Sequence, residues 1–170
     1  MECNRQYMVV NSQNYEVISL LGKGKGGYSY LVKRHDQYYV LKKIHHEPCD
    51  YYQFGNKLES ELRDYERLSN IGISMPKLYE VDVEREKLIK EYINGPTAFE
   101  LVEKHGMRQE YVEQVEAMCR LLYAHNLNID YYPTNFVLAG DKLFYIDYEC
   151  NEYMEAWNFD NWGKQYWLTD

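Results

Sequence analysis

The hydrophobic period of this chain switches along its length, and the order of the switches restricts the folds it can adopt. Residues 15–21, 28–33 and 37–44 alternate apolar and polar positions and are rich in β-formers, which predicts three strands. Gly22–Gly27 and His35-Asp36 supply the turns between them. Residues 45–53 form a loop around Pro48. Over 54–69 the period becomes helical: Phe54, Leu58, Leu62, Tyr65 and Leu68 fall on one face, and Glu59, Arg63, Glu66 and Arg67 on the other. Glu61 breaks that pattern, because it projects from the apolar face, where a lone carboxylate is costly without a cation. Residues 70–76 end the helix, and 77–83 and 87–93 return to strand pattern. Asn94-Gly95-Pro96 is the clearest linker. Beyond it come a short helix at 97–105, a longer one at 107–125 with Tyr111, Val115, Met118 and Leu122 as its buried stripe, and a hairpin. A β-rich part with one helix therefore precedes a mainly helical part.

Composition bounds the function. The chain has 170 residues, 45% of them hydrophobic, enough for one domain or a small two-lobed one with a real core. A net charge of -8 argues against a general nucleic-acid binder. The cations nevertheless crowd at Lys23, Lys25, Lys33, Arg34, Lys42 and Lys43, where a small anion could bind. Cys3, Cys49, Cys119 and Cys150 show neither zinc nor disulfide spacing, and fit reduced thiols in a cytoplasmic protein. No signal peptide and no membrane-length apolar run is expected. The histidines lack metal spacing. The 19 tyrosines have no functional explanation in the sequence.

Three constellations carry chemistry. Gly22-Lys-Gly24-Lys-Gly26-Gly27 joins two strands, and such glycines let backbone N–H groups approach phosphates. A plain flexible hairpin is the bland alternative. A strand rather than a helix follows, which excludes a dinucleotide fingerprint, and the Walker ending is missing. Lys42 ends the third strand on the same face as Val40, where its amine could neutralise phosphate charge or simply snorkel. The inward Glu61 supplies what such a lysine lacks. In Asp130-Tyr-Tyr-Pro-Thr-Asn135, followed by runs 136–139 and 143–146 around Gly140-Asp141 and then Asp147, the residues supply hard oxygens suited to Mg²⁺. Asp130 could hold a hydroxyl and take its proton. Each residue taken alone reads better as a turn former or a strand end; the order of the elements is what points to chemistry. Trp157, Trp162 and Trp167 recur at five-residue steps and are expected to pack a last helix onto the protein.

The order of these elements resembles the protein-kinase-like phosphotransferases from about Leu21 to Asp160. Gly22, Gly24 and Gly27 match the glycine-rich loop, Val40-Leu41-Lys42 the strand lysine, Glu61 its helix partner, and Glu91-Tyr92-Ile93 the hinge. Residues 128–135 match the catalytic loop at Asp130, Pro133 and Asn135, and Asp147-Tyr148-Glu149 stands at the metal-binding Asp motif. The resemblance implies an α+β, two-lobed protein-kinase-like fold with a truncated C-terminal lobe. The N-lobe would comprise 1–93, sheet plus helix, and the reduced C-lobe 94–170. It implies an ATP- and Mg²⁺-dependent phosphotransferase, with ATP between the lobes. Asp130, Lys42 and Glu61 would be the catalytic residues. Gly22, Gly24, Gly27, Lys42, Glu91 and Ile93 would bind nucleotide, and Asn135 and Asp147 the metal.

The departures narrow it. Ile129 replaces the arginine through which a phosphorylated activation loop acts, and Tyr132 the lysine of Ser/Thr kinases. Glu149 replaces the glycine of the metal-binding motif. Residues 146–149 with Phe159-Asp160 resemble choline and aminoglycoside phosphotransferases, in which Asp160 would brace the catalytic loop. Overall size and Gly72-Ile-Ser-Met-Pro76 resemble the minimal kinase of the KEOPS tRNA-modification complex, although Asn128 and Ile129 depart from its motif. The expectation is a minimal Ser/Thr protein-kinase-like enzyme, with a protein partner completing the short C-lobe. The alternatives are a small-molecule kinase and an ATP-binding pseudokinase. The acceptor, the oligomeric state and the pathway are not written in the sequence.

Overall fold

The computed structural model describes residues 4–47 and 56–168; the predicted helix start at Phe54, and Cys3 and Cys49, lie outside them. The chain divides into two compact units. One holds the residues up to Ser60 together with Pro76–Tyr92, and the other holds Glu61–Met75 and the chain from Ile93 onward.

The first unit is an antiparallel sheet. Its strands are β1 (Tyr7–Val10), β2 (Gln13–Lys23), β3 (Gly27–Arg34), β4 (Gln37–Ile44), β5 (Leu78–Asp82) and β6 (Lys87–Glu91), in the order β1-β2-β3-β4-β6-β5. The predicted strands are all present. β1 escaped the sequence reading, although its signal was there: Asn11 and Ser12 take positive φ, 47° and 66°, as a two-residue hairpin turn demands. His35 and Asp36 make the same turn between β3 and β4. The sheet curls until its edges meet. Asn11 N donates to Asp82 Oδ2 at 2.9 Å, Asn11 Nδ2 to Val81 O at 3.0 Å, and Lys87 Nζ to Val9 O at 3.1 Å.

Register decides which side chains share a face. Leu41 lies opposite Tyr30 and Ile89, and that face carries the core of Val10, Tyr15, Val32, Leu41 and Ile89. Lys42 lies opposite Ser29 and Leu88, and Val40 opposite Leu31 and Lys90, on the other face. The cations that crowd in sequence are therefore split: Lys33 and Lys42 share one face, and Arg34 and Lys43 take the opposite one. The single basic patch expected from their spacing does not form, because consecutive strand residues point oppositely.

In the second unit, α1 (Lys57–Asn70) contributes its length from Glu61 onward. Its buried stripe is Leu58, Glu61, Asp64 and Leu68, while the predicted Leu62 and Tyr65 are half-buried. The helix stops in a glycine cap. Gly72 takes φ 91°, its N–H donates to Ser69 O, and Ile73 N donates to Leu68 O at 3.1 Å. Thr97 and Glu100 form a reciprocal capping box on α2 (Ala98–Glu103). α3 (Gln109–Ala124) buries Tyr111, Val115, Met118 and Leu122, as its period predicts, and also Val112 and Cys119.

Two small sheets complete this unit. β7 (Leu127–Ile129) pairs with β10 (Cys150–Glu152), and β8 (Phe136–Ala139) with β9 (Lys142–Tyr145). Gln114 of α3 clamps the β8–β9 hairpin, donating to Asp141 O at 2.7 Å and accepting from Leu143 N at 2.8 Å. The predicted linker is itself pinned. Leu138 N donates to Pro96 O at 2.9 Å, and a Cβ on Gly95 would collide with the Leu138 carbonyl.

The three tryptophans do not share a last helix. The chain after Met154 runs in short 3₁₀ and π turns at Glu155–Trp157, Phe159–Gly163 and Lys164–Tyr166. Trp167 is fully buried against Phe136 and Phe159, Trp162 half-buried, and Trp157 54% exposed. No helix among the described residues is long and apolar enough to cross a membrane.

Candidate functional site

The glycine loop bridges the ends of β2 and β3, closed by a bond from Gly24 N to Gly27 O at 2.9 Å. It is braced from outside. His45 Nε2 lies 2.9 Å from Gly24 O, His45 N donates to Gly26 O at 3.2 Å, and Lys57 Nζ donates to Lys25 O at 3.2 Å and His45 O at 2.7 Å. The carbonyl can only accept, so the His45 bond requires the tautomer with hydrogen on Nε2. Glu47 anchors the stem, pairing with Lys23 at 2.9 Å and accepting from the Tyr28 hydroxyl at 2.7 Å. The Tyr28 bond and then Lys23 hold the Glu47 carboxyl below its usual range, and Glu47 in turn raises Lys23.

The four glycines differ in kind. A Cβ at Gly22 or Gly24 would meet nothing within 4 Å. At Gly26 it would lie 3.7 Å from Lys42 Nζ, so the Lys42 amine sits beside the loop. At Gly27 it would collide with the Lys43 carbonyl, so this glycine is required by strand packing whatever the loop binds. None of the four has positive φ.

Glu91 ends β6, and its N–H and side chain are spent locally: N donates to Lys77 O at 2.8 Å, and Oε1 accepts from Lys77 N at 3.1 Å. Ile93 is half-buried and falls in the other unit. Lys90 is 4% exposed and shares the sheet face of Lys42.

The second unit brings Asp130 and Asn135 together. Asp130 Oδ1 accepts from Tyr132 N at 3.1 Å, Asn135 Nδ2 donates to Asp130 O at 3.3 Å, and Asn135 O accepts from Ile146 N at 2.9 Å. The last bond ties the loop to the residue before Asp147. Both residues thus serve as turn formers, and the same bonds leave Asp130 Oδ2 and Asn135 Oδ1 as the remaining side-chain oxygens. Tyr145 lies beneath them. Its hydroxyl donates to Glu149 O at 2.7 Å and accepts from Asp130 N at 3.4 Å. Burial, then the Asp147 charge, pushes the Tyr145 hydroxyl well above its usual range.

The loop is braced by Trp167 rather than by Asp160. Trp167 Nε1 donates to Tyr131 O at 2.7 Å, and the Tyr131 hydroxyl donates to Asn128 Oδ1 at 3.2 Å. Asp160 is exposed on its π turn, because that turn buries Phe159 and Gly163 instead. Gly163 has no room for a Cβ against Tyr131. Asp64, a second buried carboxylate of α1, accepts from Cys150 N at 3.3 Å and holds the segment after Asp147. The packing role expected of Trp167 holds, and its bond to the catalytic loop adds to it. The inward alternation of β9 points to Tyr145, whereas Asp64 acts through a contact distant in sequence.

Among the described residues no group of three or more His, Cys, Asp or Glu is placed to hold a metal. Asn135 and Asp147 offer hard oxygens of the type Mg²⁺ takes when it keeps several non-protein oxygens.

A mixed α/β chain with a curled antiparallel sheet, a braced glycine loop beside a strand lysine and an Asp-x₄-Asn loop tied to a β hairpin is compatible with a kinase-like protein. Over 96 residues the chain is 28% identical to the KEOPS complex subunit Bud32 of Pyrococcus abyssi, a match covering 55% of this chain and 44% of that protein. The similarity supports a kinase-like relationship at the level of the superfamily and does not bear on the choline and aminoglycoside features. The chain spans less than half the length of the curated relative it matches. No family model matches it.

Proposed function

We propose that this chain is an ATP- and Mg²⁺-dependent phosphotransferase, a minimal Ser/Thr protein-kinase-like enzyme that transfers the γ-phosphate to a hydroxyl. The observation that supports the reading is the loop from Asp130 to Asn135, folded on itself so that these two oxygen-bearing side chains share one turn, and bonded to Ile146, the residue before Asp147.

Each residue has a role in this reading. The loop backbone around Gly22, Gly24 and Gly26 would lie over the phosphates, with the Gly24 N–H itself held by Gly27 O, and Lys42, oriented by Glu61, would neutralise their charge. Gly27 would shape the loop without touching ligand. The Glu91 carbonyl and Ile93 backbone would meet the adenine. Asp130 Oδ2 would align the acceptor hydroxyl and take its proton. Asn135 and Asp147 would hold Mg²⁺, which when bound offsets the charge developing on the transferred phosphoryl group.

The relative's place as a complex subunit supports a protein partner for this chain. Competent residues at all six kinase positions count against a pseudokinase. The small-molecule alternative keeps its support from residues 146–149 and loses that from Asp160.

The test is transfer from γ-labelled ATP with Mg²⁺ to casein, and separately to choline and kanamycin. Label on protein Ser or Thr supports the proposal, and turnover with the small alcohols alone supports the alternative. Asp130→Ala should lower transfer by about 10²- to 10⁴-fold. Equal transfer by this variant and wild type would refute the role of Asp130.

A further inference from the structure

The second unit carries a continuous run of five aromatic rings, of which Trp162 packs against the core while the outer members reach the surface, and the phosphoryl chemistry does not use the run. Phe99 of α2 meets Tyr132 at 6.2 Å, Tyr132 meets Tyr166 at 5.2 Å, Tyr166 meets Trp162 at 5.4 Å, and Trp162 meets Trp157 at 5.7 Å between centroids. The run surfaces as it leaves the catalytic loop. Trp157 is 54% exposed and Tyr166 39%, and the neighbouring Met154 is 57% exposed. Its second ring is Tyr132, whose N–H holds Asp130 Oδ1. A surface of this kind that passes the candidate proton acceptor lies where an acceptor substrate would approach.

Charge identifies the occupant. Between Cys150 and Tyr166 the acidic residues are Glu152, Glu155 and Asp160, all exposed. The only cation there, Lys164, is held by Glu116 at 3.4 Å. Aromatic faces rimmed by carboxylates favour guanidinium and ammonium groups, which stack on the rings while the carboxylates meet their charge. The spacing favours a chain over a small molecule. Side chains on one face of an extended peptide recur about every 7 Å, close to the step between these rings. A small alcohol would cover two of the five.

We infer that the ladder from Phe99 to Trp157 is a docking strip for an extended basic segment of a partner protein, with arginine side chains laid across Tyr166, Trp162 and Trp157. The segment would present a hydroxyl residue beside Asp130. That acceptor role rests on the phosphotransferase reading above; the binding itself does not.

The experiment is fluorescence anisotropy without nucleotide. The probe is a labelled eight-residue peptide with one serine and arginines at alternate positions; its counterpart carries citrulline, which keeps the shape and loses the charge. The arginine peptide should bind at least tenfold more tightly than the citrulline one. Trp157→Ala should weaken it at least fivefold, and Asp160→Asn, a second exposed change, at least twofold. Both variants should keep the wild-type melting temperature. Equal binding of the two peptides, no binding at millimolar peptide, or indifference to both substitutions would overturn the inference. Self-association of the wild type that Trp157→Ala abolishes would assign the strip to a second copy, and also overturns it. Binding without phosphotransfer would leave the strip standing and sink the enzyme reading; transfer to protein without peptide binding would do the reverse.

Discussion

Substituting alanine at two glycines of one loop should separate its packing role from its ligand role. Gly24 and Gly27 look alike in sequence. A Cβ at Gly24 enters open space, and its φ is not positive. Gly24→Ala should therefore narrow the unfolded ensemble and stabilise by about 0.4–1 kcal/mol. At this size that is a rise of about 1–4 °C. A Cβ at Gly27 collides with the Lys43 carbonyl, which belongs to the paired strand and cannot swing away. Overpacking of that kind costs about 1–3 kcal/mol, a fall of about 2–12 °C. Nucleotide binding should order the pair the other way. If the Gly24 backbone approaches phosphate, a methyl there disturbs a hydrogen bond to a charged group, about 1.5–3 kcal/mol, or roughly 10- to 150-fold in affinity. Scanning calorimetry and titration with Mg-ATP measure both quantities on the same samples. A Gly24→Ala protein that binds Mg-ATP like wild type would refute the phosphate role of this loop. A Gly27→Ala protein as stable as wild type would refute the packing argument.

Trp167→Ala should destabilise by about 3–5 kcal/mol, because it empties a fully buried site and strips the Tyr131 carbonyl of its donor. Trp167→Phe should keep most of the packing, lose the bond and cost about 1–3 kcal/mol; a Trp167→Phe protein as stable as wild type in urea unfolding would show that the bond to the catalytic loop contributes nothing. Melting should be insensitive to pH from neutral to about 9 and fall above it. Burial pushes the Cys150 thiol up to about 12 from 9.0, and raises Cys119 and Tyr123, Tyr131 and Tyr145. The unfolded chain releases these protons first, so stability is lost as pH rises through 9–12; a melting temperature unchanged between pH 8 and 11 would contradict this.

Local chemistry was legible in the sequence. The alternation pointed to β2, β3 and β4, the chain after the Asn94-Gly95-Pro96 linker to the short helix α2, and Gly140-Asp141 between two apolar runs to the β8–β9 hairpin. What failed depended on partners far along the chain. Glu61 stood out as an anomaly on α1, but Asp64 is buried as well, because its oxygen meets the Cys150 N–H 86 residues away. The basic cluster dissolved because residues adjacent in a strand face opposite ways. The tryptophan spacing suggested a helix, whereas Gly163 packs so closely on Tyr131 that the chain winds past it in short irregular turns. The motif points to Asp130 and Asn135; the bond between them and the ladder that passes through Tyr132 required the fold.

The most direct test of the phosphotransferase account is the melting temperature with millimolar Mg-ATP, compared with ATP plus EDTA. At a hundred times the dissociation constant, binding stabilises by about 2.7 kcal/mol, a shift of about 5–10 °C. Asp130→Ala should keep that shift, and Asp147→Ala should lose its magnesium-dependent part. A wild-type melting curve unmoved by Mg-ATP would contradict the account.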